Sequence, residues 1–156
     1  MGYTKWMMRG GKLTKIYWAA PLHDKKDRDR NTMYVSELRK HGFEVYVPQE
    51  HGVWEDYLVR FNHDVEKTRR YFYVNDLKAM KEADVCIACA GNLDDPRGPS
   101  EGMLWEMGYM EAALKTIILF NEDDYWDYNL MPVFGSDYVC RKWDDVIDIL
   151  CREEFA

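Results

Sequence analysis

Residues 84–90, Asp-Val-Cys-Ile-Ala-Cys-Ala, are apolar at every position after the first. So short and uniformly apolar a run fits a strand covered on both faces, as in a parallel sheet between two layers of helices. The rest of the chain supports that reading. Leu13–Ala20, Phe43–Val47, Thr116–Phe120 and Tyr138–Cys140 also read as strands, the first ended by Pro21 and the second closed by Pro48. Helical spacing predicts helices over Asp27–His41, stopped by Gly42, and over Asn62–Glu82, where Val65, Tyr73, Leu77 and Met80 recur. Two more are predicted from Ser100, a good N-cap, to Leu114, and over Trp143–Cys151. Strand and helix alternate, so the expected fold is α/β: one domain, residues 13–156, with a parallel five-stranded sheet and helices on both faces, flavodoxin- or Rossmann-like. Residues 1–12 form an N-terminal extension with no role the sequence argues. In such sheets ligands bind beyond the carboxyl ends of the strands. The loops there are 21–26, 49–60, 91–99 and 121–135.

Composition removes several function classes. The 156 residues carry a net charge of −7, which argues against a nucleic-acid partner, since such proteins cluster Lys and Arg against phosphates. No apolar run approaches the roughly 20 residues that span a bilayer, and Met1–Lys12 lacks an apolar signal core, so no membrane association and a cytoplasmic location are expected. Cys86 and Cys89 form a C-x-x-C, but inside a strand, where neither a zinc knuckle nor a redox pair belongs, so they read as buried free thiols. His23, His41, His51 and His63 are scattered and read as solvated. No metal and no cofactor are expected. Six Trp and eleven Tyr exceed what a small core needs, so some should line a pocket or a subunit interface.

The segment most suggestive of chemistry is Pro99-Ser-Glu-Gly-Met-Leu-Trp-Glu-Met-Gly-Tyr109, which opens a helix after a Gly/Pro loop at the active edge. Glu106 sits in its apolar stretch. A buried carboxylate needs a partner or a raised pKa, whereas on pattern alone Glu106 could equally face solvent. Gly102 would let a backbone or ligand come close. No G-x-G-x-x-G dinucleotide fingerprint is present.

Four pieces, in order, resemble the nucleoside 2-deoxyribosyltransferase family, whose superfamily also contains the 2′-deoxynucleoside 5′-monophosphate N-hydrolases. They are Lys15-Ile-Tyr17, Asn75-Asp-Leu77, the Gly102–Gly108 helix and Asn129-Leu-Met131. The resemblance implies that Glu106 is the nucleophile and Tyr17 orients it. It implies that Asp76 contacts the substrate and helps position the base, and since the leaving base needs a proton Asp76 is the candidate for supplying it. Asn129 and Met131 would be lent to a neighbouring subunit's site, so self-association to at least a dimer is implied. The expected substrates are a 2′-deoxynucleoside, or a deoxynucleotide, and a free nucleobase. Trp18, Trp54, Tyr57 and Phe61 are candidates for stacking on that base.

The implied reaction exchanges the base of a 2′-deoxynucleoside through a 2-deoxyribosyl ester on Glu106. The sequence departs from many transferases in one place. Ser100 stands six residues before the nucleophile, where they carry an Asp that binds the 5′-hydroxyl. The N-hydrolases resemble this chain there, with Pro-Ser, and a Ser hydroxyl at a helix N-terminus suits a 5′-phosphate. Against that, Ala19-Ala-Pro-Leu-His23 lacks phosphate-cradling glycines, and Glu101 adds negative charge. Transfer is the leading expectation. Hydrolysis of a 5′-monophosphate is the alternative, and a non-catalytic nucleotide-binding module is a third.

Overall fold

A computed structural model describes residues 8–9, 12–90, 100–122 and 129–152 of the chain. Loop 91–99, residues 123–128 of loop 121–135, and residues 1–7, 10–11 and 153–156 lie outside them. The first described residues pair as a short antiparallel ladder, β1 (Met8–Arg9) with β2 (Lys12–Leu13). Leu13 therefore belongs to that ladder, and the first strand of the main sheet, β3, is Lys15–Ala19. Helix α1 (Lys25–Lys40) and strand β4 (Glu44–Tyr46) follow.

Residues 49–60, expected as loop, contain a helix. A single 3-10 turn (Pro48–Glu50) leads to α2 (Trp54–Arg60), which buries none of its residues. With no core-facing stripe, α2 left no periodic signal to read. The next helix, α3, spans Val65–Glu82. It starts later than its pattern suggested because Asn62 and His63 adopt left-handed φ values of 53° and 62°, and Asp64 caps Lys67 N at 2.9 Å. Strand β5 (Val85–Cys89), α4 (Glu101–Ala112), β6 (Thr116–Phe120), α5 (Leu130–Phe134), β7 (Tyr138–Cys140) and α6 (Trp143–Arg152) complete the fold. The five-residue α5 lies in the expected loop 121–135 and is too short to show a period.

The main sheet is parallel throughout, in the order β4-β3-β5-β6-β7. The chain runs from β3 outward to β4 and returns on the other side as β5, so the order reverses between β3 and β5, where ligands bind in open α/β sheets. Side chains alternate across the sheet. Ile16, Trp18, Ile87, Cys89, Ile118 and Phe120 pack with Tyr34, Val35 and Leu38 of α1 and Val146 and Leu150 of α6. Tyr17, Ala19, Cys86, Ala88, Ile117 and Leu119 pack with Met80 of α3 and Met103, Met107 and Met110 of α4. Cys86 and Cys89 thus point to opposite faces, and neither is in a disulfide. Among the described residues no cluster of metal-binding type occurs and no helix is long and apolar enough to cross a membrane.

The turn after β4 is pinned to α1. Arg39 grips Glu50 through two bonds of 2.9 and 2.6 Å, while Gln49 bonds Asn31, Thr32 and the Arg28 carbonyl. Gly52 then takes φ +135°, and a Cβ there would stand 2.3 Å from Tyr57 Cε2. Gly52→Ala should therefore destabilise the protein by about 1–3 kcal/mol. Chemical denaturation measures this; an unchanged midpoint would contradict the assigned backbone.

Candidate active site

Helix periodicity puts Glu106 where it can meet the sheet. Met103, Met107 and Met110 form the buried stripe of α4, and Glu106 lies three residues after the first and four before the last, on that same face. It is half-buried, not solvent-facing. Tyr17, fully buried at the middle of β3, donates its hydroxyl to Glu106 Oε1 at 2.7 Å. On α3, Asp76 lies one turn before the buried Met80 and is likewise half-buried. Its Oδ1 accepts the Tyr46 hydroxyl at 2.8 Å.

Tyr46 was missed by the sequence reading. In Phe43-Glu-Val-Tyr-Val47 the odd positions face the α1 side, which turns Tyr46 to the α3/α4 side, but alternation alone does not place it beside Tyr17. Tyr46 is the register partner of Tyr17 in the neighbouring strand, and the two rings stack at 5.5 Å and 14°. His51, expected to be merely solvated, lies flat on Tyr46 at 4.0 Å and 7° while remaining exposed.

Burial pushes the Glu106 carboxyl up to about 7, the Tyr17 hydrogen bond opposes that rise, and the charge of Asp76 adds to it. Burial also raises Asp76, against the Tyr46 hydrogen bond and the influence of His51. Both tyrosines are raised, by burial first; next comes the Glu106 charge for Tyr17 and the Asp76 hydrogen bond for Tyr46, so both stay protonated donors. Near neutral pH the Glu106 carboxyl thus stands close to its midpoint, held by Tyr17, with a second tyrosine-bound carboxyl group nearby at Asp76.

The other expected residues fall elsewhere. Ser100 caps α4, its Oγ accepting Met103 N at 3.4 Å. A Cβ on Gly102 would come no closer than 3.5 Å to Ser100 Oγ, so the described residues do not themselves demand glycine there. Asn129 caps α5, accepting Met131 N at 3.0 Å. With Met131 it lines a cavity of about 490 Å³ against Leu104, Met107, Gly108 and Glu111 on the flank of α4. Glu106 is not among that cavity's walls. Trp18 is buried on the opposite face of the sheet from Tyr17, so it cannot stack on a ligand held by Glu106; strand parity excludes it. Trp54, Tyr57 and Phe61 cluster with Tyr71 and Phe72 of α3. Tyr57 also shares a cavity of about 550 Å³ with Tyr46, His51 and Asn75.

A family model described as nucleoside 2-deoxyribosyltransferase matches residues 16–135, most of the chain. The chain belongs to that family. The matched span contains Tyr17, Asp76, Ser100, Glu106, Asn129 and Met131. No curated protein matches the chain. Among solved structures, the 2-deoxyribosyltransferase of Bacillus psychrosaccharolyticus is similar at 24% identity and TM-score 0.67, covering 92% of this chain and 100% of its own. A conserved protein of Enterococcus faecalis V583 is similar at 18% identity and TM-score 0.68, with 89% and 98% covered. The CMP N-glycosidase BcmB of Clostridium botulinum is similar at 22% identity and TM-score 0.50, with 88% and 98% covered. At these identities the likeness is one of fold.

The burial of Glu106 has a thermodynamic consequence. Its folded-state pKa of about 7 exceeds the ordinary 4.5, so the folded protein binds more protons than the unfolded chain between those values. This group therefore reduces stability as pH rises through that window. Glu106→Gln should stabilise the fold by on the order of 2–3 kcal/mol at about pH 8 and by little at about pH 4. Urea titrations at both pH values check this; an equal effect at each would contradict the burial of the charge.

Proposed function

We propose that the protein is a nucleoside 2-deoxyribosyltransferase that exchanges the base of 2′-deoxynucleosides through Glu106. The observation that carries this reading is the pair of carboxyl groups, Glu106 and Asp76, each held by a tyrosine hydroxyl from the neighbouring strands β3 and β4. Family membership supports the class of chemistry.

In the first half-reaction a Glu106 oxygen attacks C1′ of the deoxyribose. The C1′–N bond breaks, its electron pair goes to the base, and Asp76 supplies the proton the base needs. The 2-deoxyribosyl ester on Glu106 then meets a second base. Its nitrogen attacks C1′, the ester oxygen leaves as the carboxylate, and the spare proton of the base returns to Asp76. Tyr17 holds Glu106 in one orientation and stabilises its charged form. The reaction needs no metal or cofactor. A cytoplasmic location suits such substrates.

If water takes the place of the second base, the same residues give a hydrolase. Ser100 supports that reading for a 5′-monophosphate, because it stands at the N-terminus of α4 and its hydroxyl donates to none of the described residues. Ser100 and Gly102 are the proposed substrate-side contacts.

The same reading includes self-association. Asn129 and Met131 lie on α4's flank rather than in a wall shared with Glu106, which suits residues that serve a neighbouring subunit's site. The surface around them is apolar and exposed: Leu130 by 62%, Met131 by 70% and Phe134 by 85%.

Incubation with deoxyinosine and free adenine should yield deoxyadenosine, while parallel reactions with 5′-monophosphates should show no release of base. Release of base without exchange would favour the hydrolase, and binding without bond cleavage would leave a non-catalytic module. Glu106→Ala should abolish turnover; survival of activity near the wild-type rate would remove Glu106 as nucleophile. Below about pH 7 protonation of Glu106 should depress kcat/KM, and a flat profile across neutrality would contradict that protonation. Phe134→Glu should shift the protein to a smaller species by light scattering and reduce activity; an unchanged mass would exclude this face as the interface.

A further inference from the structure

We propose that Tyr46 is a positioning residue for the base-side step: its hydroxyl fixes Asp76 as Tyr17 fixes the nucleophile, and governs delivery of the proton to the departing base. This inference rests on the functional reading above, and it concerns a residue outside the expected site.

The geometry gives Tyr46 little freedom. Its ring stacks on two others, Tyr17 at 5.5 Å and 14° and His51 at 4.0 Å and 7°. The backbone of β4 is locked to β3 by the register Tyr17↔Tyr46. The turn that carries His51 is fastened to α1 through Arg39–Glu50 and Asn31–Gln49. So the direction of the Tyr46 hydroxyl, and with it the orientation of the Asp76 carboxyl 2.8 Å away, is set by three elements rather than by one rotamer. Such restraint matters because a proton donor must meet the leaving nitrogen within hydrogen-bond reach.

The charged and titratable surroundings of Asp76 can be named. The sheet brings Tyr17 and Tyr46, with Cys86 beside Glu106; α4 brings Glu106; the turn after β4 brings His51. Beyond Tyr46 the cavity wall carries Glu50, Lys78 and Glu82, with Glu50 engaged by Arg39 and Glu82 near Lys15 and Lys78. Among these, the Tyr46 hydroxyl is the group that bonds the carboxyl directly. A hydrogen bond donated to a carboxylate favours its ionised form, so Tyr46 eases release of the Asp76 proton against the burial that would retain it.

Tyr46→Phe tests this, since it keeps the ring, the stack and the packing while removing only the hydroxyl. In selectively labelled protein the Asp76 carboxyl should titrate at higher pH in Tyr46→Phe than in wild type. For an ordinary purine deoxynucleoside kcat should fall by roughly 10- to 100-fold with KM little changed, the size expected for one hydrogen bond to a charged group. A deoxynucleoside methylated on the purine N7 already carries the positive charge that protonation would supply. With it Tyr46→Phe should be nearly as fast as wild type, whereas Tyr17→Phe should remain slow, because Tyr17 acts on the nucleophile. Equal slowing of Tyr46→Phe on both substrates, a loss confined to KM, or an unmoved Asp76 titration would overturn the assignment. A wild-type protein inert on every deoxynucleoside and deoxynucleotide would instead contradict the functional reading. The Asp76 titration would then still decide whether Tyr46 holds that group.

Discussion

The site depends on taking two carboxyl groups partly out of water beside each other. Burial and mutual repulsion oppose their charge, and a tyrosine hydroxyl at each one limits that opposition without abolishing it. The result is a Glu106 carboxyl that titrates close to neutral pH beside a second, raised carboxyl at Asp76. The rest of the fold serves this arrangement. Parallel pairing of β3 with β4 puts Tyr17 beside Tyr46, and the buried methionines of α4 and α3 bring Glu106 and Asp76 against them.

Stability and chemistry therefore pull in opposite directions at Glu106. A carboxyl group with a pKa near 7 makes the folded protein less stable as the group ionises, yet the proposed reaction uses the ionised form as nucleophile. The stacked plates Tyr17, Tyr46 and His51 and the fastened turn after β4 supply rigidity where the pair would otherwise push apart.

Much of this was legible in the residues. The apolar runs of β5 and β6 announce a sheet covered on both faces, and Ser100 marks the start of α4, where it is indeed the cap. Tyr17, Asp76 and Glu106 could be named from their resemblance to a family, and two Tyr–carboxylate bonds join them to the sheet. What escaped notice has physical causes. Helix α2 buries nothing and α5 is too short, so neither has a periodic face. Trp18 looked available because aromatic content says nothing of strand parity, and parity turns it away from Tyr17. Tyr46 required knowing that β4 lies next to β3, a fact of sheet order that local pattern does not contain.

The central claim is that Glu106 forms a covalent bond to the sugar. Rapid chemical quench during turnover of a deoxynucleoside, followed by intact-mass analysis and peptide mapping, tests it most directly. The account predicts a 2-deoxyribosyl ester on Glu106 that disappears when a free base is added. Turnover with no adduct, or with the adduct on another residue, would contradict it.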